Sequence, residues 1–176
     1  MIVIRSLLLT ASFMISGLLY SQATLTFTLP VVTLMDIEPA GNITLNFVAP
    51  TEAGNALSNP TPNTSKWINY TSAITSGGLT RRITAAVNSS PILSAVSIKL
   101  QAAAASGAGG GTLGTPSAQV TLTTTPVTII SGIGGAYTGN GVNNGHRLTI
   151  SLVPNAYASL SAQTNTLVTI VYTITE

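Results

Sequence analysis

Cysteine is absent from all 176 residues. That removes disulfide staples, thiolate nucleophiles, cysteine metal sites and a lipidated N-terminal cysteine in one stroke, so stability must come from core burial, sheet hydrogen bonds or partner chains. Charge is nearly as scarce, at 6% of residues against about 25% in ordinary globular proteins. Beyond residue 23 the bases are Lys66, Arg81, Arg82, Lys99 and Arg147, and the acids are Asp36, Glu38, Glu52 and Glu176. Nucleic-acid binding needs clustered bases to neutralise phosphates, and only Arg81 and Arg82 adjoin, so no nucleic-acid partner is expected. Histidine occurs once and tryptophan once. A metal site drawing on one histidine and four carboxylates has too few ligands, and no metal or other cofactor is expected.

Among what is present, the first 23 residues carry the clearest signal. Arg5 precedes an apolar run over residues 6–19, and small residues stand at Ser21 and Ala23. This is the layout of a secretory signal peptide, with cleavage near residues 21–23. The run is short for a membrane-spanning helix, which needs about 20 apolar residues. The expectation is a signal peptide at 1–23 and one domain at 24–176, secreted to the extracellular space or cell surface, through the periplasm in a Gram-negative host.

Beyond the signal the apolar pattern has period two, the mark of half-buried strands. Leu25, Phe27 and Leu29 alternate with threonines, and Ile43, Leu45 and Phe47 repeat the pattern. Further strands are expected at 67–74, 79–87, 96–100, 120–123, 127–130, 146–153 and 167–175. Gly77 and Gly78 make 67–87 read as a hairpin. Residues 55–65, 102–115 and 132–145 read as three long loops, because glycine, proline, asparagine and a short alanine tract crowd there. About nine strands with turns between them predict an all-β chain, a single antiparallel β-sandwich of immunoglobulin-like or pilin-like kind. The predicted core is Leu45, Phe47, Trp67, Ile83, Val96, Ile98, Leu148, Ile150, Leu152, Ile170 and Tyr172.

Candidate chemistry is thin. Residues 129–136 imitate a dinucleotide loop, but Tyr137 stands where the third glycine belongs and no helix can follow, so a turn is the better reading. A Ser-His-Asp triad would have to join His146 to Asp36, without a nucleophile elbow; His146 reads instead as a half-exposed strand residue. Glu38 and Glu52 as a glycosidase pair carry little specificity. Trp67, Tyr70, Tyr137 and Tyr157 could stack on sugar rings, yet a single core tryptophan is the commoner role. No catalytic residue is assigned and no enzyme activity is expected.

Two segments carry a resemblance. Ala23, Thr24, Leu25, Thr26, Phe27, Thr28 and Leu29 form an alternating segment directly after the signal. Residues 167–176 form another, Leu-Val-Thr-Ile-Val-Tyr-Thr-Ile-Thr-Glu, after Tyr157-Ala158-Ser159-Leu160-Ser161-Ala162. This layout resembles bacterial pilin-like and spore-coat-like β-sandwich subunits, although the disulfide many of them carry is missing. The resemblance implies a non-enzymatic surface or filament subunit that assembles by β-strand addition, its partners being copies of itself or related subunits. Thr24, Leu25, Thr26, Phe27, Thr28 and Leu29 are then the candidate subunit-contact strand. The alternative is a carbohydrate-binding or adhesive module whose loops bind surface glycans.

Overall fold

The structure, a computed structural model, describes residues 22–176; the signal segment lies outside the described residues except for Gln22 and Ala23. The chain is all-β, as its alternation predicts. Nine strands form one antiparallel hydrogen-bonded network: β1 (Val32–Glu38), β2 (Asn63–Ala73), β3 (Arg81–Val87), β4 (Val96–Ser106), β5 (Gly110–Pro116), β6 (Val120–Thr121), β7 (Val127–Tyr137), β8 (Gly145–Pro154) and β9 (Ile170–Thr175). Helix among the described residues is limited to two 3-10 turns, Pro91–Ser94 and Tyr157–Ser159.

The strand order is β6-β4-β8-β2-β7-β3-β9, with β1 on the second edge of β2 and β5 on the second edge of β7. Side chains obey the period of two. β3 buries Ile83, Ala85 and Val87, β4 buries Val96, Ile98 and Leu100, and β8 buries Leu148 and Ile150. All of these but Val96 meet Ile68, Ile129, Ile130 and Ile133 in one cluster. Removing each large side chain from water contributes about 1.5–3 kcal/mol, which is what a chain without disulfides must rely on.

Several expectations need correcting. The turn after β2 forms, with Gly78 N–H donating to Thr75 O at 2.9 Å and Gly77 at φ +72°. The hairpin does not. Both edges of β3 are taken, by β7 (Ile83↔Ile130) and by β9 (Ile83↔Ile174), so β2 pairs elsewhere. Trp67 is on the wrong phase for the core: Ile68 and Tyr70 point inward, while Trp67 is half-buried, beside Glu38 and Arg147 in the ladder. Leu45, Phe47, Leu152, Ile170 and Tyr172 are likewise half-buried, and all of these but Phe47 pack against the cluster from its rim.

The loop expected at 102–115 is largely strand, and the one expected at 132–145 is strand up to Tyr137 and again from Gly145. β4 runs on to Ser106, β5 follows at Gly110, and β7 continues to Tyr137. Glycine here serves close approach of two backbones: a Cβ at Gly111 would collide with the carbonyl oxygen of Gly135 on β7. The loop at 55–65 ends earlier than expected, because β2 starts at Asn63. In exchange, the strands expected at 24–29 and 43–47 have no ladder partner among the described residues, and β1, between them, does.

Candidate assembly site

The N-terminal arm, residues 22–31, lies outside the sheet. No hydrogen bond ties it to another described residue, and its apolar side chains stand in solvent: Leu25 is 85% exposed, Phe27 78% and Leu29 83%. Scattered single exposed apolar residues are ordinary, but three at alternate positions form a stripe on one face of an extended chain. Wherever that chain is extended, Thr24, Thr26 and Thr28 fall on the other face. The arm and the start of β1 carry no charged residue before Asp36.

A groove of about 980 Å³ opens elsewhere on the surface. Its floor is apolar, with Val96 and Ile98 of β4 and Leu152 of β8. Its walls are two segments without sheet pairing, residues 42–47 and 159–168. In the first wall Ile43, Leu45 and Phe47 are half-buried while Thr44 and Asn46 are exposed. That is the alternation of a strand, yet the backbone of 42–47 makes no ladder; pairing begins only at the isolated Val48↔Ser58 bridge. The second wall contributes Leu160, Leu167 and Val168, and leads into β9, whose one ladder is with β3. No charged side chain lines the groove.

Register places arm and groove at opposite ends. The arm leaves from Val32, opposite Ala73, at the end where Arg81 and Glu176 also lie. β1 then runs down to Glu38, opposite Trp67, which itself pairs with Arg147 of β8. The groove residue Leu152 lies further along β8 in the same direction, opposite Ile98. To turn back, the arm would first have to retrace the seven residues of β1, about 23 Å at 3.3 Å per residue. That distance consumes the residues nearest Val32, so Phe27 and Leu29 of the same chain cannot enter the groove.

The chemistry-bearing residues are elsewhere, and the histidine among them is fully engaged. His146 is wholly buried, a correction to its expected half exposure. Its Nδ1 is 2.8 Å from Ala103 O, its Nε2 is 3.0 Å from Tyr70 Oη and 3.2 Å from Leu113 O, and the Tyr70 hydroxyl also donates to Leu113 O. This cluster ties β8, β4, β2 and β5 together. Asp36 accepts from the Ile37 N–H instead of meeting the histidine. Glu38 ends β1, whereas Glu52 sits in an exposed loop. Residues 129–136 are β7 itself, followed by no helix. Among the described residues no three His, Cys, Asp or Glu come close enough to hold a metal ion.

The four aromatics do not form one platform. Tyr70 is core, stacked on His146 with ring centroids 5.8 Å apart. Tyr137 is half-exposed and packs over Gly110, and Tyr157 Oη accepts from the Leu57 N–H. Burial pushes the Tyr70 and Tyr172 phenols well above the usual 10. Among the described residues no helix is long and apolar enough to cross a membrane.

Sequence reasoning singled out residues 24–29 but missed the groove, because its walls and floor come together only through pairing of β2, β4 and β8. Compared with known proteins, the chain matches no family model, no curated protein and no solved structure, so the functional reading rests on this geometry.

Proposed function

We propose that this is a secreted, non-enzymatic structural subunit of a cell-surface filament, in which the arm of one copy adds as a strand to the groove of the next. One observation carries the reading: a charge-free, alternately apolar arm without a sheet partner among the described residues, and a charge-free groove with an apolar floor, walled by an unpaired strand-like segment, at opposite ends of the domain. An extended segment that adds to an open edge gains main-chain hydrogen bonds, and its alternate side chains set the register. Because donor and acceptor are different surfaces, the contact is head-to-tail and has no built-in closure, which favours open filaments.

Magnitudes show which part of the contact decides. Burying Leu25, Phe27 and Leu29 supplies about 1.5–3 kcal/mol each. Ordering each arm residue costs about 1–2 kcal/mol. The two nearly cancel over six residues, so the ladder to residues 42–47 tips the balance, at about 0.5–1.5 kcal/mol per bond. On this reading the curled sheet is a β-sandwich short of one strand, and the neighbour's arm completes it. Secretion rests on the leader pattern at 1–23, and the secreted protein should be lighter by that segment in intact-mass analysis.

The experiment is deletion of residues 24–29 from the mature chain. No sheet ladder or hydrogen bond holds the arm among the described residues and its apolar side chains stand largely in solvent, so the deleted chain should keep its thermal midpoint, lose polymerisation by sedimentation, and bind a synthetic peptide of residues 22–31 as a one-to-one complex. A full mature chain that stays monomeric at high concentration, or a deletion that unfolds the domain, overturns the reading.

A further inference from the structure

Among the described residues two of the few cations, Lys66 and Arg81, are buried, and both donate to main-chain carbonyls that bracket β1. Lys66 of β2, 8% exposed, places its ammonium 2.5 Å from Pro39 O and 2.7 Å from Gly41 O, just past the lower end of the strand. Arg81 of β3, 3% exposed, donates from Nη1 to Val32 O at 2.6 Å and to Ser72 Oγ at 2.9 Å, at the upper end. Its Nη2 lies 3.8 Å from Glu176. Water would serve such carbonyls at the end of an edge strand without cost, whereas desolvating a cation is expensive. What the buried cation provides in return is fixed position.

We infer that β1 is a strut coupling the two ends of the subunit, and that Lys66 and Arg81 are the positioning residues that pin it. The inference rests on the strand-addition reading and deepens it. Above the strut, Val32 is the root of the donor arm. Below it, the turn at 39–41 held by Lys66 releases the chain straight into residues 42–47, the wall that lines the groove. Donor root and acceptor wall are thus two ends of one covalent stretch, Val32 to Phe47. Tension on a filament runs along that backbone and spares the ladders of β2, β8 and β4. The two pins have separate duties: Lys66 aims the acceptor wall, and Arg81 aims the donor root.

The test uses full mature chains and separates the two directions. As acceptors, chains disarmed by Phe27→Glu are titrated with a fluorescent peptide of residues 22–31. As donors, chains with an intact arm are titrated into the labelled Phe27→Glu chain. Lys66→Met should weaken acceptance about tenfold or more, the loss expected when charge-assisted bonds that hold a wall are removed, and leave donation unchanged. Lys66→Arg, which keeps a donor to the carbonyls, should restore part of the acceptance. Arg81→Met should weaken donation and leave acceptance unchanged. If both variants lose both capacities in proportion to their thermal midpoints, the pins are merely structural and the inference is overturned. If the Phe27→Glu chain itself captures no peptide, the strand-addition reading falls first, and this inference with it.

Discussion

Single residues in this chain are governed by their phase on a strand. Ile150 is buried on β8 and Thr149, its neighbour, is half-buried on the other face. Truncating a buried isoleucine costs about 2–5 kcal/mol. Ile150→Ala should therefore lower the thermal midpoint by roughly 5–15 °C, while Thr149→Ala should hardly move it; scanning calorimetry distinguishes the two, and the reverse order would mean the opposite register. The tyrosines add a pH dependence. Folded Tyr70 and Tyr172 titrate above their unfolded value of 10.0, so the folded state holds protons that the unfolded chain has lost. Their contribution is complete below pH 10 and fades as pH rises beyond it. Denaturant midpoints should be flat for these groups up to about pH 9 and fall above about pH 10, less steeply in Tyr70→Phe.

At the scale of elements, alternation in the sequence was enough to find strands near β2, β3, β4, β6, β7, β8 and β9, because period two is a local property. Pairing is not local. The segments read as a hairpin have the right turn, but β7, far along the chain, occupies the edge of β3 that β2 would need. β5 was invisible for a different reason: Gly111 and Gly114 leave no side-chain alternation to read, since their role is to let β5 approach β7 closely. Gly111→Ala should detach β5 and raise amide exchange over residues 110–116 while β4 and β8 stay protected; unchanged exchange at β5 would refute the close-approach argument. Trp67 was misplaced because its neighbours Ile68 and Tyr70 bury their side chains on the opposite phase. The arm was legible as a candidate contact strand, but its acceptor was not, since Ile43, Leu45 and Phe47 look from sequence like an ordinary paired strand.

The described residues form a sheet with its own core that leaves two features unmatched at opposite ends, an apolar arm and a charge-free groove with an apolar floor. A low-charge surface offers little repulsion between copies, and an exposed unpaired segment is a standing template for association. Because the chain contains no cysteine, any disulfide in it must join introduced residues, which makes cross-linking a direct readout of strand addition. Mature chains bearing Phe27→Cys are mixed with chains bearing Leu45→Cys under mild oxidation, and the product is digested and read by mass spectrometry, with Ser131→Cys on β7 as the control site. Strand addition should give a disulfide between residue 27 of one chain and residue 45 of another, extending head-to-tail when both substitutions share a chain. Equal linkage of residue 27 to positions 45 and 131, or no intermolecular 27–45 linkage at concentrations where copies associate, would contradict it.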